Sequence, residues 1–189
     1  MARRSLWRTT IAAMAMACMG YGAFAQASED EARMRQQLQA ALWPADIVRL
    51  ADDYLRQHPD SSWRIVAEGM KLGAADSMRA LNRSDVALYR SSFRAATPDD
   101  GTTDDLRQAA MGDRDAAMRL AVQSWRADRN EARYVGWLQL ASTLGHDKAT
   151  YELALHFRRN GQPALAAQYE SRALEMGYEP PPWLDHRRK

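Results

Sequence analysis

The chain has 189 residues, with 26 Lys and Arg against 24 Asp and Glu and a formal net charge of +2. This near balance excludes the broad basic surface that nucleic-acid-binding domains carry. The single cysteine, Cys18, excludes an internal disulfide and a multi-cysteine metal site.

The N-terminus has the pattern of a secretory signal peptide. Three arginines within the first eight residues precede an apolar run over 11–19, and small residues at 23–25 would allow cleavage after Ala25. The apolar run is shorter than the roughly 20 residues of a membrane-spanning helix. We therefore expect residues 1–25 to be removed and the protein to be periplasmic or secreted, without membrane insertion after cleavage.

Cleavage would change both the charge and the cysteine content. The remaining 164 residues carry 23 Lys and Arg against 24 Asp and Glu, a formal net charge of −1, which offers no field for nucleic acid or an anionic membrane. Cys18 would be lost with the signal. However, Ala15-Met16-Ala17-Cys18 loosely resembles a lipobox, so a lipoprotein anchored through Cys18 remains the alternative localisation.

Residues 26–97 are predicted to form a helical region with degenerate repeat character. Helix-forming residues dominate 29–42, and Pro44 suits the first turn of a second helix, where its missing N–H costs nothing. Ser61 or Ser62 could cap a third helix by accepting bonds from its first N–H groups.

Two further features complete this first half. Ser84 follows a turn and is a candidate cap for a helix over 86–93. Residues 98–103 combine Pro, Asp, Gly and Thr, which favour turns, so we predict a loop there and the main internal boundary of the chain. A sustained two-residue alternation of apolar and polar residues is missing after residue 25, so strands are not expected.

A repeat of a little over thirty residues occupies 104–178. Five helices are predicted, over 104–111, 114–127, 130–144, 147–159 and 163–176, with glycines at 112, 145, 161 and 177. The repeating sets are Gly112, Ala116 and Leu120 with Gly145, Ala149 and Leu153, then Trp137, Ala141 and Gly145 with Tyr169, Ala173 and Gly177. Such a period is typical of stacked helix pairs, since one pair alone cannot bury its apolar face.

These residues resemble Sel1-like repeats, relatives of the tetratricopeptide repeats, most clearly over 112–178. The match is carried by Trp137-Leu138-Gln139-Leu140-Ala141, Leu144-Gly145-His146, Ala149, Ala166, Tyr169, Arg172, Ala173 and Gly177. Upstream, Gly73, Ser77 and Leu81 preserve the offsets from the glycine. The resemblance implies an all-α fold, a right-handed α-solenoid of stacked antiparallel helix pairs with a concave, partner-binding surface.

The resemblance also implies which residues would bind a partner, because the first helices of the pairs line the concave side in related solenoids. Repeat-equivalent exposed positions on those helices are Arg119, Gln123, Arg126, Glu152, His156 and Arg159. A solvated helix face is the plainer interpretation of the same pattern. The Pro-rich tail over 179–189 adds Trp183, which either caps the array or is bound by another protein.

The sequence offers no pattern for a catalytic residue, a metal or a cofactor. Its histidines lack metal-ligand spacing, and the serine-hydrolase, phosphate-loop and zinc-protease motifs are missing. We therefore predict an interaction scaffold or adaptor for an envelope or secreted protein or peptide, of unknown oligomeric state. The alternatives are a helical peptidoglycan enzyme or accessory domain, with Glu68 or Glu152 as general acid, and a lipid-anchored envelope assembly factor.

Overall fold

The computed structural model describes residues 29–94 and 100–181, and in these ranges all regular structure is helical. The helices are α1 (29–40), α2 (Pro44–Gln57), α3 (Arg64–Leu81), α4 (Asp100–Ala110), α5 (Arg114–Arg126), α6 (Glu131–Thr143), α7 (Asp147–Arg159) and α8 (Pro163–Glu175), with a 3₁₀ helix at Arg90–Phe93. None of the described helices is both long and apolar enough to cross a membrane. The predicted signal peptide, Cys18 and Trp183 lie outside the described residues.

Helices that follow one another in sequence pack against one another. The most extensive packing joins α2 with α3, α5 with α6 and α7 with α8, and less extensive packing joins α4 with α5 and α6 with α7. The predicted pairs in the second half are therefore present. This succession of neighbouring pairs is consistent with a helical repeat.

Glycine ends four of the helices, as the sequence predicted. The four residues share a left-handed backbone, with φ between 71° and 93°, and they are Gly112, Gly145, Gly161 and Gly177. After each of them, the next N–H donates to a carbonyl five positions back, as from Asp113 to Gln108 at 3.0 Å and from His146 to Ala141 at 2.9 Å. This is the Schellman arrangement, which satisfies carbonyls left open at a helix end.

The residues after two of these glycines start the next helix. Asp113 Oδ1 accepts bonds from the N–H groups of Asp115 and Ala116, both at 2.8 Å, and so caps α5. His146 Nδ1 accepts from the N–H of Ala149 at 3.3 Å and caps α7. Each glycine turn therefore closes one helix and opens another within three residues, which sets the tight spacing of the helices.

The apolar core is continuous between the two halves of the chain. Fully or almost fully buried residues extend from Leu38 on α1 to Leu153 on α7. Leu120, Leu153 and Trp137 fill the interior as predicted, whereas Tyr169 is only half-buried and stacks on Phe157 at a centroid distance of 5.2 Å. Buried residues before 95 and after 99 therefore belong to one core.

The prediction of a helix over 86–93 is wrong. Residues 86–89 are irregular, and only the last four residues form a short 3₁₀ helix. Val86 and Leu88, two positions apart, are both buried, and the intervening Ala87 N–H donates to Gln139 Oε1 at 2.9 Å. Gly136 on α6 makes room for this segment, because a β-carbon there would lie 2.7 Å from the Ala87 carbonyl oxygen. Tertiary contacts therefore hold an extended segment where local pattern favours a helix.

Two predicted helix starts differ from the structure. The helix predicted over 104–111 begins earlier, at Asp100, so 100–103 of the predicted loop are helical. Helix α3 begins at Arg64 without a side-chain cap from either predicted serine. Ser61 Oγ instead accepts from the N–H of Trp63 at 3.1 Å, one residue before the helix.

Gly73 does not end a helix, although its spacing to Ser77 and Leu81 matches that of the glycines in the later repeats. It lies inside α3, whereas the glycines of the later repeats follow helices with a positive φ. Its role is close packing against the end of α4, where Ser77 Oγ also donates to the Ala109 carbonyl at 2.7 Å. Gly73 therefore matches the spacing of the repeat but serves close helix packing, whereas the later glycines end helices.

Candidate functional site

A cleft of about 420 Å³ opens where α6 and α7 meet the end of α5. Its lining combines two aromatic rings, two carboxylates, an imidazole, a guanidinium and an amide. These belong to Trp125, Glu131, Tyr134, Glu152, His156, Arg159 and Asn160.

Helix geometry brings these side chains together. On α7, Glu152, His156 and Arg159 are spaced by four and three residues, which places them on one face of the helix. On α6, Glu131 and Tyr134 lie in the first turns and are likewise three residues apart. The amino end of α6 and the carboxyl half of α7 thus form the two sides of the cleft.

The end of α5 and its connection to α6 form the third side of the cleft. Arg129 has φ of 48° in this turn, and Asn130 caps α6 by accepting from the Arg133 N–H at 3.0 Å. Trp125 near the end of α5 is 42% exposed, and its ring lies 5.5 Å from that of Tyr134. An exposed indole beside a charged cleft is the kind of side chain that dominates binding energies at protein interfaces.

Tyr134 and Glu152 interact across the cleft. The Tyr134 hydroxyl donates to Glu152 Oε2 at 3.5 Å, which is the long limit of a hydrogen bond. Burial raises the pKa of Tyr134 to about 12, and the negative charge of Glu152 adds to this shift. The phenol therefore remains a neutral donor at physiological pH.

His156 is neutral at physiological pH, because burial lowers the pKa of its imidazole. Asn160 Nδ2 lies 3.0 Å from His156 Nε2. An amide nitrogen donates and does not accept, so Nε2 accepts and Nδ1 carries the proton. That Nδ1 lies 3.6 Å from Glu131 Oε1. At this distance the neutral imidazole neither hydrogen-bonds to the Glu131 carboxylate nor neutralises its charge.

The cleft contains charges of both signs that are not paired with each other. Neither Glu131 nor Glu152 forms an ion pair with a Lys or Arg among the described residues. Arg159, which is exposed, likewise has no carboxylate partner in that part of the chain. With His156 neutral, two carboxylates face one guanidinium, so the cleft has an excess of negative charge.

The structure brings together half of the predicted ridge, the set of six partner-binding positions on α5 and α7. Glu152, His156 and Arg159 all line the cleft. Two of their predicted counterparts on α5, Arg119 and Gln123, instead contact α4. The two halves of the ridge therefore differ in what their side chains contact.

The contacts of the α5 half are specific. Arg119 Nε donates to Asp105 Oδ1 at 2.8 Å, and Gln123 Nε2 donates to Thr102 Oγ1 at 2.6 Å. Arg126, the third predicted position, is exposed at the end of α5 and does not line the cleft. The α5 side chains thus help to hold α4, which reduces their availability to a partner.

Sequence reasoning missed the cleft residues outside α7. Trp125, Glu131, Tyr134 and Asn160 all flank turns, and only their position in three dimensions joins them to the ridge. One signal was available in the sequence: under the resemblance to Sel1-like repeats, the bulky Tyr134 occupies a position where that family usually has a small residue. In the structure Tyr134 lines the cleft, with its ring 5.5 Å from that of Trp125.

Glu68, the other carboxylate considered for catalysis, lies outside this cleft. Its Oε1 accepts from Arg64 Nε at 2.9 Å, one turn earlier on α3, and both side chains are largely exposed.

No protein-family model, curated protein or solved structure matches this chain.

Proposed function

We propose that this chain is an exported interaction scaffold that binds a protein or peptide of the bacterial envelope in the cleft between α6 and α7. The observation that carries the proposal is that three residues predicted from the sequence to bind a partner line one cleft beside the exposed Trp125. The export step rests on the N-terminal sequence pattern. In this proposal the helix pairs form a right-handed, Sel1-like solenoid with the cleft on its concave side.

The composition of the cleft favours binding over chemistry. Its aromatic rings offer contact area that costs little conformational entropy, and its charged groups offer specificity. The helices that carry them are fixed at their ends by Asn130, His146 and the glycine turns. A site held this rigidly loses little entropy when a partner binds.

A crosslinked pull-down from native envelope extract tests the proposal, with residues 26–189 as bait. The cleft variant is Trp125→Ser with Glu152→Gln. The matched control is Ile65→Ser with Glu68→Gln, which changes the same residue classes on the exposed face of α3, where Ile65 is 80% exposed. Circular dichroism first establishes that both variants keep the helical content of the parent.

We expect the parent and the control to capture the same protein and the cleft variant to lose it. The captured protein is then purified, and its Kd for the cleft variant should be at least about tenfold weaker, as for loss of an interface hot spot. Equal Kd values for all three baits would refute the cleft as the binding site.

A second function is favoured by one observation, the position of Glu152. This carboxylate lies in the cleft and accepts from Tyr134, whereas Glu68 lies on an exposed helix face. A cleft carboxyl is the more plausible general acid for glycan cleavage. Release of soluble fragments from purified cell wall by the parent, abolished in Glu152→Gln and retained in Glu68→Gln, would support that function; no release by the parent would eliminate it.

A further inference from the structure

We infer that the cleft accepts a basic side chain, the ammonium of a lysine or the guanidinium of an arginine, from a peptide segment of its partner. The inference takes the existence of a partner from the proposed function. The ligand class, however, is derived from the charges and rings of the cleft alone.

Two carboxylates provide the first argument. Glu131 is 58% exposed, and the neutral imidazole of His156 lies 3.6 Å from its carboxylate. Among the described residues, Tyr134 alone donates a hydrogen bond to the Glu152 carboxylate, and that bond is long. Both carboxylates therefore retain most of their capacity to accept hydrogen bonds. A cationic side chain entering between α6 and α7 would find two carboxylates that form no ion pair with a Lys or Arg in the described part of the chain.

The aromatic side of the cleft provides the second argument. The guanidinium carbon of Arg129 lies 5.9 Å from the centroid of the Trp125 ring, so this indole already contacts a cation within its own chain. Trp125 remains 42% exposed despite this contact. The aliphatic stem of a lysine or arginine can pack along such an indole while its charged end reaches the carboxylates.

Arg159 opposes the binding of a cation in the cleft. It lines the same cleft and its charge acts on both Tyr134 and His156. A basic ligand is repelled by Arg159 and attracted by the carboxylates. This gives the inference a specific signature: removal of Arg159 should strengthen binding of a basic ligand, whereas a purely structural Arg159 would leave it unchanged or weaken it.

The experiment is a titration of ¹⁵N-labelled residues 26–189 followed by NMR. The probes are the N-acetyl methylamides of lysine and arginine, and the matched controls are those of glutamate and norleucine. The reporters are the Trp125 indole N–H and the backbone amides over 152–159. We expect saturable shifts for the basic probes alone, with Kd in the range of about 1–10 mM that a single side chain can reach.

Charge variants test the assignment of residues. Glu131→Gln with Glu152→Gln should weaken binding of the lysine probe about tenfold, since each exposed charge contributes up to about fivefold. Glu175→Gln, which removes an exposed carboxylate on α8 outside the cleft, is the control and should change Kd by less than twofold. Arg159→Gln should tighten binding by about two- to fivefold.

Four results would overturn the inference: no saturable shifts from the basic probes, preferential shifts from the glutamate probe, unchanged lysine binding in the double glutamine variant, or unchanged or weaker lysine binding in Arg159→Gln. The inference and the proposed function can also fail separately. Specific binding of basic probes without a captured protein would support the inference and count against the scaffold. A captured partner whose affinity is unaffected by replacement of its basic residues, with no probe binding, would support the scaffold and overturn the inference.

Discussion

Gly73 on α3 faces the carbonyl oxygen of Met111 so closely that a β-carbon at Gly73 would lie 2.2 Å from that oxygen. The approach is mutual, because a β-carbon at Gly112 would lie 3.0 Å from the Gly73 carbonyl oxygen. Ser77, one turn further along α3, donates to the Ala109 carbonyl. These contacts hold α3 against the end of α4 and so join the first helices to the repeats.

Gly73→Ala should destabilise the fold by about 1–3 kcal/mol, the usual cost of overpacking. The clash is with backbone, which cannot rotate away. This cost should outweigh the gain of about 1 kcal/mol that alanine brings to a helix interior. Urea unfolding followed by circular dichroism measures the change.

The same helix supplies the control for this prediction. Gly69 is exposed, and a β-carbon there would meet nothing within 4 Å. Gly69→Ala should therefore stabilise the protein by about 0.4–1 kcal/mol. If both substitutions raised the free energy of unfolding equally, the close contact between α3 and α4 would be refuted.

Leu153→Ala should destabilise the protein by about 2–5 kcal/mol, because the side chain is fully buried in the core on α7. Leu72→Ala is the matched control: Leu72 is also helical but 68% exposed, and its loss should change stability by no more than about 0.5 kcal/mol. Chemical unfolding of the three proteins decides the question. Similar midpoints for the two variants would contradict the packing of α7.

Helices α4 to α8 could be predicted because their signals are local. Gly112, Gly145, Gly161 and Gly177 each end a helix through bonds within six residues, so the sequence around each glycine contains the whole structural cause. The burial of Leu120, Trp137 and Leu153 followed from the repeat for a related reason: equivalent positions on successive helix pairs face the same interior.

The rest depends on contacts between distant residues. Residues 86–89 lack helical structure because Gly136 and Gln139, about fifty positions later, accommodate them in an extended form. The predicted ridge divides for a similar reason, since Asp105 and Thr102 on α4 bind its α5 members. The aromatic side of the cleft was missed because Trp125 belongs to a different helix pair from the residues it faces on α7.

His146→Asn should remove part of the acid sensitivity of the fold. Burial lowers the pKa of His146 below its ordinary value of 6.5, despite the nearby carboxylates of Asp115 and Asp147. The folded state therefore favours neutral imidazole, so its stability is complete above about pH 6.5 and decreases as the pH falls below that value. Protonation of Nδ1 would also remove the acceptor that caps α7.

Asparagine keeps a capping acceptor and does not titrate. We therefore expect His146→Asn to match the parent within about 0.5 kcal/mol at pH 7.5 and to lose less stability between pH 6.5 and 5. His146→Ala, which has no acceptor, should cost about 0.5–2 kcal/mol at pH 7.5. Urea unfolding at each pH measures these differences, and identical pH profiles for parent and asparagine variant would show that His146 does not titrate with folding.

Glu31 should control stability at still lower pH. Its Oε1 accepts from Ser61 Oγ at 2.7 Å and from the Tyr54 hydroxyl at 2.8 Å, and it also pairs with Arg35. These bonds, chiefly those from Ser61 and Tyr54, lower the pKa of Glu31 from 4.5 to about 2. Because the folded pKa lies below the unfolded one, the stabilisation is complete above about pH 4.5 and is lost as the pH falls toward 2.

Glu31→Gln should thus lower the free energy of unfolding at pH 7 and flatten its decline between pH 4.5 and 2. Glutamine keeps an oxygen acceptor but has no group that titrates with pH. Glu29→Gln, an exposed change on the same helix, should leave the slope in that window as it is in the parent. Equal slopes for parent, Glu31→Gln and Glu29→Gln would mean that the link between α1 and the segment after α2 does not depend on the ionised carboxylate.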